Sequence, residues 1–148
     1  MVKANKSMKK LCPLGNCAKG AWVINMSIKA AVVVIKNNEK ILAVSRKDNY
    51  NDWGLPGGKI EENETPKDTA IRETKEETGL TIHDLTEVFI SNDNTNCLVT
   101  AFIVNKWSGN IKQEKNGGAV DWVSIDDLLN GSFGEYNKKL FKKINLIL

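Results

Sequence analysis

Apolar and polar positions along the chain predict a series of short strands. Residues 30–35 form a continuous apolar run rich in β-branched side chains, which is typical of a buried strand. The polar residues 36–39 indicate a turn, and residues 41–45 are predicted to return as the second strand of a hairpin. Further strands are predicted over three downstream segments, which are residues 85–90, 97–106 and 119–123.

A helix is predicted between the first and second groups of strands. Thr65 can cap its start, Pro66 suits the first helical position, and Asp68 adds an acid to the first turn. Gly79 favours the left-handed conformation that ends many helices, so the predicted helix covers residues 66–78.

The end of the chain has a second helical pattern. A short helical turn is predicted after Ser124, and a C-terminal helix is predicted over residues 136–148. Its apolar face comprises Leu140, Phe141, Ile144 and Ile147. Strands, one helix, more strands and a final helix predict an α/β (α+β) fold, in which helices pack on a mixed sheet. Residues 1–25 lack clear periodicity and are interpreted as an irregular N-terminal extension of a domain over residues 26–148.

Composition narrows the class of protein. A chain of 148 residues with 41% hydrophobic and 26% charged residues is typical of one globular domain. The net charge of +3 is too small for a protein that coats nucleic acid, so no stable nucleic-acid partner is expected. No segment has the roughly 20 apolar residues of a membrane span, and no membrane partner is expected. Three cysteines and one histidine disfavour a disulfide framework and a zinc site, which favours a reducing, cytoplasmic location.

The predicted first helix carries an unusual set of acids. Glu73, Glu76 and Glu77 are spaced i, i+3 and i+4, so their carboxylates share one face and repel by a few tenths of a kcal/mol per pair. A solvated acidic surface is the ordinary interpretation of such a run. A divalent cation would remove the repulsion, because Mg²⁺ prefers carboxylate oxygens and keeps sites for water and phosphate. The opposite face has Ala70, Ile71 and Thr74, which are suited to packing on the sheet.

The wider pattern favours the metal interpretation. The fixed positions run from Gly58 to Gly79, followed by apolar Leu80, and resemble the Nudix box, G-x5-E-x7-R-E-U-x-E-E-x-G-U, where U is a bulky apolar residue. The matching residues are Gly58, Glu64, Arg72, Glu73, Glu76, Glu77 and Gly79. Thr74 departs from the pattern at the first U position, where we expect a small packing effect. The preceding residues 53–57, WGLPG, also resemble the lead-in of that family.

Resemblance to Nudix hydrolases implies an α/β/α sandwich and a Mg²⁺-dependent, or sometimes Mn²⁺-dependent, cleavage of a nucleoside diphosphate linked to another group. It implies that Glu73 and Glu77 are the principal metal ligands, joined by Glu76 and by the backbone carbonyl of Gly58. Arg72 would orient the carboxylates. A carboxylate would take the proton of the attacking water, and Glu76 and Glu77 are candidates for this catalytic part. Glu114, in a polar loop, is a further candidate, with a solvated loop glutamate as the alternative.

The substrate is the least constrained prediction. The layout of the chain resembles the MutT-like branch, which implies a purine nucleoside triphosphate, normal or oxidised, that is cut to monophosphate and pyrophosphate. Arg46 is a candidate for binding phosphate, and Asn137 for reading the purine edge, with a surface arginine and a helix cap as the alternatives. ADP-ribose, a dinucleoside polyphosphate, an RNA cap, and a non-catalytic nucleotide-binding module remain open. Base stacking is an option for Trp53, Trp107 and Trp122, with core packing expected for at least two of them.

Overall fold

The computed structural model describes residues 28–112 and 118–148, so the predicted extension over residues 1–25 lies outside the described residues. The described elements, in chain order, are β1 Lys29–Val34, β2 Lys36–Asn37, β3 Lys40–Ser45, β4 Trp53–Gly54, β5 Gly57–Lys59, α1 Pro66–Thr78, β6 Thr81–Asn92, β7 Leu98–Ser108, β8 Val120–Val123, α2 Ile125–Leu129 and α3 Gly134–Lys143.

The main sheet is mixed, as the sequence predicts. Its strand order is β5-β1-β7-β6, with β1 parallel to β7 and antiparallel to β5, and with β6 antiparallel to β7. In a second sheet, β3 pairs with β2, with β4 and, antiparallel, with β8. A hairpin forms with a turn at Asn38, which has a left-handed φ of 58°, but its first strand is β2, whereas β1 pairs in the main sheet. The predicted pairing of residues 30–35 with residues 41–45 is therefore wrong, apart from the Leu42 amide, which donates to the Ile35 carbonyl at 2.9 Å.

Alternating residues of β1 separate two cores. Ala31 and Val33 are fully buried on the side of α1, in the same cluster as Ala70. Val34 faces the other way and belongs to the cluster that contains Leu140 and Phe141 of α3. Because successive strand residues point to opposite faces of a sheet, the helices lie on both sides of it. The predicted α/β/α sandwich is therefore confirmed.

Both ends of α1 agree with the sequence prediction. The Thr65 hydroxyl accepts from the Asp68 amide at 3.1 Å, and the Asp68 carboxylate accepts from the Thr65 amide at 3.0 Å, which completes a capping box. Gly79 ends the helix at φ 87°, and its amide donates to the Lys75 carbonyl at 3.0 Å. These contacts join residues at most four positions apart, so the two ends of α1 are determined locally.

The C-terminal helix differs from its prediction at both ends. It begins at Gly134 and ends at Lys143, whereas residues 136–148 were expected. Asn145 adopts a left-handed φ of 64°, and the Leu146 amide donates back to the Phe141 carbonyl at 2.8 Å, which stops the helix. Of the described helices, none is both long enough and apolar enough to cross a membrane.

Candidate functional site

The segment over residues 57–65, which contains β5 and is called the glycine loop below, lies close to its neighbours because it begins with two adjacent glycines. Gly57 pairs with Val32, and a Cβ at this position would lie 2.8 Å from the Val32 Cα and Cγ1 atoms. The Gly57 amide donates to Oε1 of Glu77 at 2.9 Å. A Cβ at Gly58 would collide with the carboxyl group of Glu73. The backbone of this loop is therefore in direct contact with the acidic face of α1.

Arg72 connects the loop to the helix, and all three of its guanidinium nitrogens donate hydrogen bonds. Nε and Nη2 donate to the Glu64 carboxylate at 2.6 and 3.0 Å. Nη1 binds Glu73 at 3.0 Å and Glu76 at 3.2 Å. Nη2 also donates to the Lys59 carbonyl at 3.4 Å. One cation therefore orients two of the three predicted metal-binding carboxylates.

The acids around Arg72 have different proton affinities. The hydrogen bonds from Arg72 lower the pKa of Glu64 from 4.5 to about 2, so this carboxylate stays charged in ordinary buffers. Burial raises the pKa of Glu73, and this effect exceeds the opposing hydrogen bond from Arg72. Glu64 raises the pKa of Arg72 in turn, which keeps the guanidinium charged. Glu64 is thus the charged anchor of the arginine, and burial makes ionisation of Glu73 less favourable than that of Glu64.

The oxygen atoms around the loop fit a hard divalent cation. Glu73 and Glu77 reach the loop backbone at Gly58 and Gly57, and the exposed Glu76 lies beside Arg72. Within the described ranges, no three histidine, cysteine or acidic side chains already converge into a metal site. Mg²⁺ does not need such a closed cage, because it usually binds through one or two carboxylates and fills its other positions with water and phosphate oxygens. The chemistry of the donors therefore matches the predicted cofactor.

A pocket of about 460 Å³ opens beside the two glycines. Its surface is mainly apolar, and residues of β1, β3, β4, β7 and α3 contribute to it. Among the lining residues are Gly57, Gly58, Arg46 and Asn137, so the pocket joins the glycine loop to both predicted substrate-binding side chains. A cavity of this size suits a nucleotide-sized ligand.

Arg46 and Asn137 differ sharply in their surroundings. Arg46 is half-exposed, and its guanidinium forms two hydrogen bonds with the Asp48 carboxylate, at 3.0 and 3.2 Å. Asn137 is only 2% exposed, and its Nδ2 donates to the Leu128 carbonyl at 3.2 Å. The helix-cap alternative for Asn137 is wrong, since Phe133 occupies the N-cap position and Asn137 is the fourth residue of α3.

The loop that contains Glu114 is described only at its edges. Residues 113–117, Glu114 included, lie outside the described residues, so its predicted catalytic part stays a prediction. The following segment is fixed to the end of β3, because the Ala119 amide donates to the Ser45 hydroxyl at 2.7 Å. Ser45 itself lines the pocket.

Several pocket residues were not singled out by the sequence pattern. Asp52 and Phe133 line the pocket, and Asp52 accepts a hydrogen bond from a residue 80 positions away in the sequence. No local motif marks such a pair. Of the three tryptophans, Trp53 lines the pocket, while Trp107 and Trp122 contact each other in a tilted arrangement with ring centroids 5.7 Å apart. The latter two pack against the core on the side of α1, as expected for at least two of them.

Comparison with known proteins gives consistent matches. The family model for the NUDIX domain matches residues 26–144. A MutT-like protein from Streptomyces ambofaciens is 34% identical over 105 residues, which cover 69% of this chain and 66% of that protein. An 8-oxo-dGTP diphosphatase from Buchnera aphidicola is 30% identical over 120 residues, which cover 78% of this chain and 91% of that protein. This chain spans about two thirds or less of the length of several curated relatives that it matches.

Among solved structures, a MutT NUDIX hydrolase from Burkholderia pseudomallei superimposes with a TM-score of 0.67 at 23% identity. The match covers 80% of this chain and 98% of that structure. At 23% identity, this match is evidence for a shared fold alone.

Proposed function

This chain belongs to the NUDIX domain family, and from that premise we propose that it is a Mg²⁺-dependent enzyme that hydrolyses a pyrophosphate bond in a nucleoside diphosphate derivative. The proposed substrate is a purine nucleoside triphosphate, normal or oxidised, and the products are the monophosphate and pyrophosphate. The observation that supports this best is the position of the pocket, whose wall includes the two glycines that contact the acidic face of α1.

The metal would be held by oxygen atoms on α1 and on the glycine loop. We assign Glu73 and Glu77 as its main ligands, with Glu76 and the backbone carbonyl of Gly58 completing the set. When bound, Mg²⁺ reduces the negative charge of the diphosphate and stabilises the leaving oxygen. Mn²⁺ has the same preference for these ligands and belongs in any test.

The protein's own groups have separate parts in this proposal. Arg72 keeps Glu73 and Glu76 in place through its hydrogen bonds at 3.0 and 3.2 Å. Gly57 fixes one oxygen of Glu77 through its amide. Glu76, with 60% of its side chain exposed, is the carboxylate of the three that water reaches most easily, so it is our candidate for accepting the water proton. Glu114 is the alternative candidate.

The purine is proposed to bind in the pocket next to Asn137. One N–H of this amide is engaged by Leu128, which orients the group, and its second N–H and its oxygen can pair with a base edge. Arg46 is proposed to bind phosphate at the same pocket, where it would exchange Asp48 for the substrate. The similarity to an 8-oxo-dGTP diphosphatase supports an oxidised purine among the substrates.

The test is a turnover assay with a matched pair of variants. The purified protein is incubated with Mg²⁺ or Mn²⁺ and normal or oxidised nucleoside triphosphates, ADP-ribose, dinucleoside polyphosphates or capped RNA, and products are separated by chromatography. Glu77→Gln keeps an oxygen that can accept from the Gly57 amide but removes the negative charge. Glu62→Gln is the control, because Glu62 is exposed and lies outside the fixed positions of the box.

We expect monophosphate and pyrophosphate from purine triphosphates, loss of nearly all turnover in Glu77→Gln, and ordinary turnover in Glu62→Gln. Preferential cleavage of ADP-ribose or a capped compound would keep the chemistry and replace the substrate. Metal-dependent turnover that survives in Glu77→Gln would contradict the ligand assignment. Nucleotide binding without turnover would favour the non-catalytic module.

A further inference from the structure

We propose that Asp52 is a positioning residue that holds together the two walls of the nucleotide pocket, one containing Arg46 and the other containing Asn137. This inference rests on the proposed function, since it concerns how that pocket recognises its substrate. Neither the box nor its lead-in includes Asp52, which directly precedes β4.

The first observation is the set of contacts between Asp52 and Ser132. The Ser132 amide donates to Oδ1 of Asp52 at 2.7 Å, and the Ser132 hydroxyl donates to Oδ2. Both oxygens of the carboxylate are thus bound by one residue. Hydrogen bonds to an ionised acceptor are about twice as strong as neutral ones. The Asp52 side chain is only 13% exposed, so water competes weakly for these bonds.

The second observation concerns Gly131, which precedes Ser132 and has no side chain. A Cβ on Gly131 would lie 2.5 Å from the Trp53 carbonyl oxygen and 2.8 Å from Oδ1 of Asp52, which is too close for any other residue without displacement. The segment from Gly131 to Ser132 is therefore packed directly on the aspartate. Its position depends on Asp52 through both hydrogen bonding and close contact.

The segment that Asp52 holds leads straight into the pocket wall. The Gly134 amide donates to the Gly131 carbonyl at 3.0 Å, and the Asn137 amide donates to the Phe133 carbonyl at 2.9 Å. These bonds make a short rigid connection from Ser132 to the first turn of α3. Phe133 and Asn137 both line the pocket, so a shift of Ser132 moves the surface that meets the base.

Asp52 is attached on its other side to the wall that contains Arg46. The Arg46 amide donates to the Asp52 carbonyl at 3.0 Å, and the Arg46 Nε lies 3.8 Å from Oδ2 of Asp52. Arg46 has a closer partner in Asp48, whose side chain is 71% exposed. The Asp52 carboxylate is therefore engaged mainly with Ser132 and secondarily with the arginine. The consequence is a fixed spacing between the phosphate-binding and base-binding groups.

The experiment compares five proteins: wild type, Asp52→Ala, Asp52→Asn, Arg46→Ala and Asp84→Ala. Asparagine can still accept from the Ser132 amide and can donate to its hydroxyl, so it preserves the connection without the charge. Asp84→Ala is the control, because the Asp84 carboxylate accepts from the Asn105 side chain at 3.0 Å between β6 and β7, and neither residue lines the pocket. Three quantities are measured: KM and kcat for the best nucleotide, the affinity for its monophosphate by calorimetry, and amide hydrogen exchange.

For Asp52→Ala we expect KM to rise about tenfold to hundredfold, monophosphate affinity to fall by a similar factor, and kcat to change less than about threefold. Amide exchange should accelerate at residues 132–137 and stay unchanged in α1. Asp52→Asn should recover most of the affinity, and Asp84→Ala should leave KM unchanged. Unchanged KM and exchange in Asp52→Ala would overturn the inference, as would an equal rise of KM in Asp84→Ala.

Two outcomes separate this inference from the proposed function. Wild-type protein that turns over no nucleotide refutes the enzymatic proposal, and exchange at residues 132–137 then decides for or against Asp52 alone. If Asp52→Ala fails to fold, Asp52→Asn decides through KM: near wild-type affinity supports the hydrogen-bonded connection, and a loss as large as that of Arg46→Ala contradicts it. The latter result would mean that Asp52 acts through its charge on Arg46.

Discussion

Glu64 and Arg72 are joined by two hydrogen bonds, from Nε to Oε2 at 2.6 Å and from Nη2 to Oε1 at 3.0 Å. The Glu64 carboxylate also accepts from the Thr69 hydroxyl at 2.7 Å and from the Glu61 amide at 3.0 Å. Glu64 therefore ties the loop before α1 to the helix, while Arg72 orients the acids beyond it. This pair therefore supports the site by orienting the acids, without any contact to the substrate.

The Glu64–Arg72 pair predicts a pH-dependent stability. Because the folded pKa of Glu64, about 2, lies below its ordinary value of 4.5, its contribution is complete above about pH 4.5 and is lost as the pH falls towards 2. We expect Glu64→Gln to lower the free energy of unfolding by about 1–2 kcal/mol at pH 7. The measurement is denaturant unfolding of both proteins from pH 7 to pH 2. A difference between them that does not shrink below pH 4.5 would contradict the assignment.

Thr74 offers a stabilising substitution. It is fully buried, and its hydroxyl has no hydrogen-bond partner among the described residues. Thr74→Val keeps the shape and removes the unsatisfied group, so we expect a gain of about 1 kcal/mol and a Tm about 2–4 °C higher. Thr78→Val is the control, because the equally buried Thr78 hydroxyl donates to the Thr74 carbonyl at 2.6 Å. That variant should lower the Tm, and a loss of stability in both would show that Thr74 has a partner.

Gly58 should tolerate no side chain. In Gly58→Ala the new methyl group must displace the Glu73 carboxyl group. Misplacement of a metal-binding carboxylate by about 1 Å costs on the order of a hundredfold in rate. We expect that loss in kcat/KM with a normal far-UV circular dichroism spectrum. Gly54→Ala is the comparison, because its Cβ would meet the nearest atom at 3.9 Å, an ordinary contact. Equal losses in the two variants would show that the damage is not specific to Glu73.

Removal of metal should stop turnover without unfolding the protein. Arg72 already balances part of the negative charge on α1, so the helix does not depend on a second cation. We expect chelator-treated protein to keep its helical spectrum and to regain activity with Mg²⁺. Mg²⁺ at ten times its Kd should raise the free energy of unfolding by about 1.4 kcal/mol. At the same Mg²⁺ concentration, the gain in Glu77→Gln should be smaller. The measurement is thermal unfolding against Mg²⁺ concentration, and identical curves for both proteins would argue against Glu77 as a ligand.

Local signals explain which parts of the fold were predictable. The ends of α1 depend on Thr65, Asp68 and Gly79, which act within a few residues of each other, and both ends agree with the prediction. The end of α3 depends on Asn145 in the left-handed conformation. The apolar residues 146–148 continue the helical pattern past this point, so the pattern predicted a longer helix. Ile144 and Ile147 still pack against the core next to α3, so the apolar face was predicted although the helix stops earlier.

The candidate site divides in the same way. The seven box positions are close in sequence, and a helix and a short loop are enough to bring them together. Arg46 and Asn137 were chosen separately, and only the topology of β3, β4 and α3 shows that they share a pocket. The connection from Asp52 to Ser132 spans 80 residues and involves two common residue types, so no pattern in the sequence reveals it.

The alternation along β1 has a consequence for how the protein tolerates mutation. Ala31 and Val33 face the core beneath α1, whereas Ala30 and Val32 line the pocket. In a saturation library, changes at Ala31 and Val33 should reduce the amount of folded protein in the cell. Changes at Ala30 and Val32 should instead alter which nucleotides the protein accepts, while its abundance stays normal. A single strand would thus show two phenotypes with a period of two residues.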